Sequence, residues 1–322
     1  MSVLRSPGLW IALATVMLLA AVPAVTGNAS QRETILIVLQ SIALASSLNI
    51  LLGYTGYVSF GQIVFFGLGG YIGFYLIDEQ GWHLALACLA GATVAGMLAL
   101  LLGASILRLR GAYFALATIG VNEAMKAVII NVELLGGSTG MELNFAVYRG
   151  YGGPGQMLWI VYWSTVVVAL AVVLTSFLVK RSKFGLGLMA IREDEDAAEV
   201  MGVVSSRYKT MAYILSAIFP GILGVLFFFK QGVIDPAGAF RLNLSVELLV
   251  MVMLGGQGTV FGPVLGGALY QGLRGALLTS PLFKNIQLAV AGVLLLVIVL
   301  FIPAGAVGWL RRRFPVLRRV LE

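Results

Sequence analysis

Apolar residues in this chain fall in long continuous blocks separated by short polar or charged breaks, rather than alternating at a period of two. Ten blocks stand out, near 8–27, 34–53, 57–77, 82–106, 112–132, 157–179, 211–229, 244–256, 260–278 and 286–303. About 20 apolar residues wound as helix rise ~30 Å, the thickness of a bilayer's hydrocarbon core. Within lipid a backbone N–H or C=O finds no water, so a spanning segment must pair these groups internally, as a helix does. The alternating segments of about ten residues that build a membrane barrel are missing. The pattern therefore predicts an all-α polytopic membrane protein, one transmembrane domain over residues 1–322 with about ten spans. The first block follows Arg5 and precedes small residues, as a cleavable signal peptide would. Its apolar run is long for that role and reads as a first membrane helix.

Composition removes the other classes. Of 322 residues, 60% are hydrophobic and 11% charged, where a soluble domain carries charge on about a quarter of its positions. A water-soluble enzyme and a disordered chain are both excluded. The single cysteine, Cys88, cannot form an internal disulfide. Net charge is +7, and its placement matters more than its size. With the N-terminus in the cytoplasm, one side collects Arg5, Arg108, Arg110, Lys180, Arg181, Lys183, Arg192, Arg207, Lys209, Arg311, Arg312, Arg313, Arg318 and Arg319. The other side holds only Arg32, Arg149, Arg241 and Lys284. Fourteen against four places both termini in the cytoplasm under the positive-inside rule, with 304–322 a basic tail suited to anionic lipid.

Two segments interrupt the apolar blocks with glycine. Gly53 to Gly61 reads GYTGYVSFG between spans two and three, and Gly255 to Gly262 reads GGQGTVFG between spans eight and nine. Aligned with one gap, both carry Leu-Gly-x-x-Gly and then an aromatic–glycine pair, a hint of internal duplication. Broken backbone at membrane depth survives only against protein or a water-filled path. Asn49, Gly53, Tyr54, Gly56, Ser59, Gln62, Gly255 and Gly258 are thus candidates either to line a pathway or to pack helices closely. Asn122 and Glu123 lie within a turn of Lys126 in span five, as polar lining or as a Glu123–Lys126 pair at i,i+3. Glu247 and Arg274 are a second candidate pair. His83 beside Trp82 reads as an interfacial anchor, since no second His or Cys stands near it. No serine has a His–Asp partner, and no Gly-x-x-x-x-Gly-Lys-Ser/Thr run is present, so neither nucleophilic catalysis nor ATP hydrolysis is expected of this chain.

The cytoplasmic loop 180–210 is the most informative stretch. It begins with Lys180, Arg181 and Lys183, turns acidic at Arg192-Glu193-Asp194-Glu195-Asp196, and continues Ala197-Ala198-Glu199-Val200-Met201-Gly202. Acids favour the positive end of a helix, and Gly202 is a natural stop. Ala197, Ala198 and Met201 would supply an apolar side, giving a short surface helix with an acidic leading edge. Such an element suits a groove on a cytoplasmic partner; a solvated loop that only sets topology is the plainer alternative.

Asp196-Ala197-Ala198 followed by Gly202 resembles the Glu-Ala-Ala-x-x-x-Gly coupling motif of ATP-binding-cassette (ABC) import permeases, with Asp in place of Glu. Ser182 to Gly185 and Ala190 to Ala198 are similar to the branched-chain amino acid (LivM) permease family. So are Leu51 to Gly56 with Ser59-Phe60-Gly61, Leu107 to Ala115, and Leu254 to Gly258 with Gly262 to Gly266. The likeness runs in order from about residue 44 to 303. It implies an ABC importer permease bundle with glycine-rich broken hairpins in a bacterial or archaeal cytoplasmic (inner) membrane. Its implied partners are a sister permease, two ATPase subunits that bind ATP and Mg and each take one coupling helix, and a periplasmic or extracellular binding protein; no nucleic acid and no cofactor of its own are expected. Gln62 stands where many members have His, Leu186 where Arg is common, and Gly136-Gly137-Ser138-Thr139-Gly140 replaces Gly-Gly-Thr-Asn-Gly. The first and third of those departures leave the cargo open among branched-chain and other small amino acids, urea and short amides. A secondary carrier working alone, with Glu123 and Lys126 in ion coupling, is the competing mechanism.

Overall fold

A computed structural model of the chain describes residues 7–279, 293 and 305–313. The described part is a helical bundle. Its long helices are α1 (Pro7–Thr26), α2 (Ala29–Thr55), α3 (Gln62–Asp78), α4 (Leu84–Ile106), α5 (Ala112–Ile130) and α6 (Pro154–Arg181). There follow α7 (Lys183–Glu193), α8 (Glu195–Val200), α9 (Ser205–Gln231), α10 (Pro236–Ala239), α11 (Leu242–Gly255), α12 (Phe261–Thr279) and α13 (Gly305–Arg313). Seven helical stretches among the described residues are long and apolar enough to cross a bilayer, α10 and α11 being taken as one of them. The first nine predicted spans each coincide with a helix; the tenth, 286–303, lies outside the described residues apart from Val293.

α2 is the axis of the bundle. From Ser41 to Thr55 every residue is buried, because α6, α9, α11 and α12 all pack on it. α3, α4 and α9 form the tightest trio. A Cβ on Gly221 of α9 would stand 2.7 Å from the Gly91 carbonyl of α4 and 2.7 Å from the Ala95 Cβ, so glycine lets these backbones touch. α9 also contains Pro220, which has no N–H to give to the Ser216 carbonyl one turn back. The Ser47 hydroxyl of α2 donates to that carbonyl instead, so the proline's vacancy becomes an interhelical bond.

α5 stands at the flank. Its buried residues, Phe114, Thr118, Asn122 and Ile129, form one stripe at helical spacing, while Tyr113, Leu116 and Glu123 face outward. The expected Glu123–Lys126 pair does not form: no ion pair joins them among the described residues, because Lys126 is half-buried while Glu123 points away. Glu247 and Arg274 do pair, at 2.9 Å, between α11 and α12. A pair not foreseen, Glu33 with Lys230, ties α2 to α9. His83 caps α4, its Nδ1 accepting from the Ala85 N–H at 3.3 Å, beside the Tyr151 ring.

The bundle has two distinct ends. At one, the antiparallel bridge β1 (Met141–Glu142) to β2 (Val233–Ile234) pins the 131–153 connection onto the C-terminus of α9. At the other, reached by the N-terminus of α9, sit α7, α8 and both glycine hairpins.

Candidate functional site: the hairpins and the α7–α8 elbow

The two glycine segments, far apart in sequence, meet. α2 ends where Gly56 enters the left-handed region at φ +77°, and the matching Gly258 of the second hairpin has φ +75°. In each, a hydroxyl three or two residues ahead of the next helix start accepts a backbone N–H. Ser59 takes that of Gly61 at 3.1 Å, and Thr259 that of Gly262 at 2.9 Å. Local geometry thus repeats along with the local sequence.

Ending α2 at Gly56 strips the Gly53 carbonyl of its helical donor, since the Tyr57 N–H turns to the Thr55 hydroxyl. Arg192 Nη1, from the end of α7, donates to that carbonyl at 2.7 Å. Further along the break, Thr118 of α5 accepts the Phe60 N–H at 3.0 Å and Ser245 of α11 donates to the Phe60 carbonyl at 2.7 Å. These backbone groups, having lost helix, therefore find side chains. Asn49 performs the same service for the second hairpin. Its Nδ2 donates to the Thr259 carbonyl at 3.0 Å and its Oδ1 accepts the Gly258 N–H at 2.9 Å. Asn49 and Ser59 have no exposed surface, Gln62 has 1%, and Tyr54 is buried with its hydroxyl on Ser176. Asn122 donates to the Phe240 carbonyl at 3.0 Å. In this conformation the polar candidates bond helices together. Gly53 and Gly255 sit at backbone crossings: a Cβ on Gly53 would stand 2.7 Å from the Gly258 nitrogen, and one on Gly255 would run into the Gly262 carbonyl.

Residues 182–202 form an elbow of two helices rather than the single one expected. Ser182 caps α7 by accepting the Gly185 N–H at 3.0 Å, and Asp194 caps α8 by accepting the Ala197 N–H at 3.0 Å. Gly202 closes the turn at φ +89°. One acid, Glu195, is spent inward. Glu195 meets Lys209 Nζ at 2.6 Å and the Tyr57 hydroxyl at 2.7 Å, while Lys209, itself 3% exposed, also donates to Tyr57 and to the Leu107 carbonyl. Arg110 grips Asp196 with both terminal nitrogens, at 2.7 and 3.2 Å. Burial would raise the Glu195 carboxyl, but the hydrogen bonds of Lys209 and Tyr57 and the charges of Lys209 and Arg110 outweigh it and hold it low. The bond and charge of Arg110 likewise hold Asp196 low.

The apolar side divides differently from expectation. Ala198 turns inward and is 4% exposed, whereas Ala197, Val200 (88%) and Met201 (84%) face out with Glu193 and Glu199. Residues one apart on a helix cannot share a face, while Ala197 and Met201, four apart, do. Tyr57, Arg110 and Lys209 were not singled out from the sequence: Lys209 and Arg110 stood only among the orientation charges. Nothing local to them shows that an acid eighty-five or fourteen residues away will meet them.

A buried bundle of apolar helices, with two satisfied glycine breaks joined to a polar elbow at one end, defines a multi-pass membrane protein of permease type. The chain belongs to the family described as branched-chain amino acid transport system / permease component, which matches residues 32–299. It is similar to the high-affinity branched-chain amino acid transport system permease protein LivM of Escherichia coli, 31% identical over 258 residues, covering 71% of this chain and 59% of the relative. LivM of Salmonella typhimurium is 30% identical over 254 residues with the same coverage. The LivH permease protein of E. coli is 27% identical over 143 residues, 44% of this chain and 46% of that one. The chain thus spans 59% of the length of the LivM relatives it matches. No solved structure matches it.

Proposed function

We propose that this chain is the membrane-spanning permease subunit of an ATP-driven importer and forms half of the path for branched-chain or other small amino acids. It sits in a bacterial or archaeal inner membrane, in ten spans with both termini cytoplasmic, beside a sister permease. A binding protein delivers the solute from outside, and two cytoplasmic ATPase subunits hold ATP and Mg. The α7–α8 elbow is the coupling element. The observation that carries this reading is the two-sidedness of α8: Glu195 and Ala198 root it in the bundle while Val200 and Met201 stand bare at its tip. A tip that only met water would gain nothing from two large apolar side chains, whereas a groove on an ATPase would bury them. Movement of α8 would reach the hairpins through Arg192 on Gly53 and Tyr57 on Glu195.

The test is Met201→Glu with Val200→Asp, co-produced with the partner subunits in proteoliposomes. Both side chains are exposed, so the bundle should still fold, which size-exclusion behaviour checks. Uptake and binding-protein-stimulated ATP hydrolysis should fall at least about tenfold, since charging two buried apolar contacts costs well over 1.4 kcal/mol. Uptake at the parental rate would refute α8 as the coupling element. Uptake by this chain alone, without ATP, would refute the importer reading and favour a stand-alone carrier.

A further inference from the structure

A cavity of about 510 Å³ opens between α2, α9, α11 and α12, at the end of the bundle away from the elbow. Its walls are of two kinds. One is apolar and includes Leu44, Phe66 and Phe228; the other carries Asp235, Arg241 and Arg274. Arg274 is occupied by Glu247 at 2.9 Å. The Arg241 side chain makes no hydrogen bond or ion pair among the described residues. Asp235 spends Oδ2 on the Gly238 N–H at 2.8 Å and leaves Oδ1 unbonded among those residues. Arg241 is exposed at the rim of the cavity, within electrostatic reach of Glu247 but not bonded to it, so its guanidinium is open to an anion entering from water. Its planar donors match a carboxylate. The volume lies within the range of small-molecule sites, and the apolar wall offers a place for a hydrocarbon tail.

We propose that this cavity binds a small aliphatic carboxylate carrying an ammonium, an amino-acid zwitterion, with Arg241 holding the carboxylate, the free oxygen of Asp235 facing the ammonium, and the phenylalanine wall taking the side chain. The assignment rests on the importer reading for its biological sense but not for its test. The site precedes the hairpins on an inward path and is distinct from the binding protein's own.

The experiment uses the full chain in phosphatidylcholine nanodiscs, which lack anionic headgroups, with Cys88→Ser to remove the native thiol. Leu244→Cys places a reporter thiol in the wall, and Ile37→Cys, at a position 45% exposed, is a second should the first disturb packing. Labelling by a charged thiol reagent is followed with L-leucine or with L-leucinol, which keeps the amine and tail but lacks the carboxylate. L-Leucine should slow labelling and L-leucinol should not. Arg241→Gln should raise the half-protecting leucine concentration about tenfold or more, the weight of a hydrogen bond to a charged group. Unchanged labelling with leucine, equal protection by leucinol, or intact protection in Arg241→Gln would each overturn the proposal. No partner subunit or ATP takes part. Lost protection with intact uptake in the reconstituted importer therefore refutes the cavity alone, and protection without ATP-dependent uptake refutes the importer reading alone.

Discussion

The two glycine hairpins look like copies in sequence, and their left-handed glycines, Gly56 and Gly258, agree within 2°. Their support is nevertheless different. The first is held by side chains arriving from α5, α7 and α11, and its Tyr57 reaches the Glu195–Lys209 pair. The second closes largely on itself through Thr259, and its hydrogen bonds to α2 come from one side chain, the Asn49 amide, beside the Gly53–Gly258 backbone contact. The contrast separates a hairpin braced from several elements from one braced mainly by itself. The elbow hydrogen-bonds the first hairpin directly, whereas the second takes its hydrogen bonds from Asn49 and only packs against Arg192 and Gly53 at Gly258.

The most severe break in that arrangement is Asn49→Ala. It leaves the Gly258 N–H and the Thr259 carbonyl buried without partners, at about 3 kcal/mol together. A fall of several degrees in the midpoint of thermal unfolding of the detergent-purified chain is expected. Ser245→Ala removes a single bond from the better-braced first hairpin and should cost only ~1 kcal/mol. Equal losses in the two would erase the distinction between them.

Next comes the link that only the first hairpin possesses. Glu195→Gln leaves Lys209 buried without its counter-charge and should cost about 2 kcal/mol at neutral pH, below the full value for a buried pair because Glu195 is 12% exposed. The carboxyl titrates below its ordinary value in the folded chain, so its stabilisation is complete above the unfolded pKa of about 4. It drains away as pH falls through the folded pKa. Thermal midpoints of parent and Glu195→Gln, recorded from pH 7 downward, should therefore converge on the acid side. A constant gap would show that the charge is not what the node uses.

The smallest effect sharpens the comparison. Gly56→Ala and Gly258→Ala impose the same left-handed strain, about 1 kcal/mol. The Cβ at 56 meets only the flexible Arg192 Cγ at 3.2 Å. At 258 it meets Arg192 Nη1 at 2.8 Å and the Gly53 carbonyl at 3.0 Å, which is backbone. The second substitution should lower the midpoint more, and the reverse order would mean that Arg192, rather than the hairpin contact, yields.

Some of this was legible in the sequence, and the reason is the solvent. Lipid obliges each spanning segment to satisfy its own backbone within one continuous apolar run, so the positions of nine helices could be read from local order alone. The same local logic located both glycine breaks, the acidic start of α8 and the stop at Gly202, and one candidate pair named from the sequence, Glu247 with Arg274, also forms. Which polar group meets which is a long-range matter. Glu123 and Lys126 had suitable spacing and stayed apart, whereas Glu195 found Lys209, Tyr57 and Arg110 on three separate elements. Ala198 turned inward and Met201 outward because only packing against the bundle fixes the phase of a six-residue helix. Arg192 on Gly53 and Asn49 across to Gly258 required α2, α7 and the second hairpin to be folded together first. Local chemistry set where the chain must break; tertiary contact decided what closes each break, since an orphaned carbonyl or amide accepts any correct partner that the packing delivers.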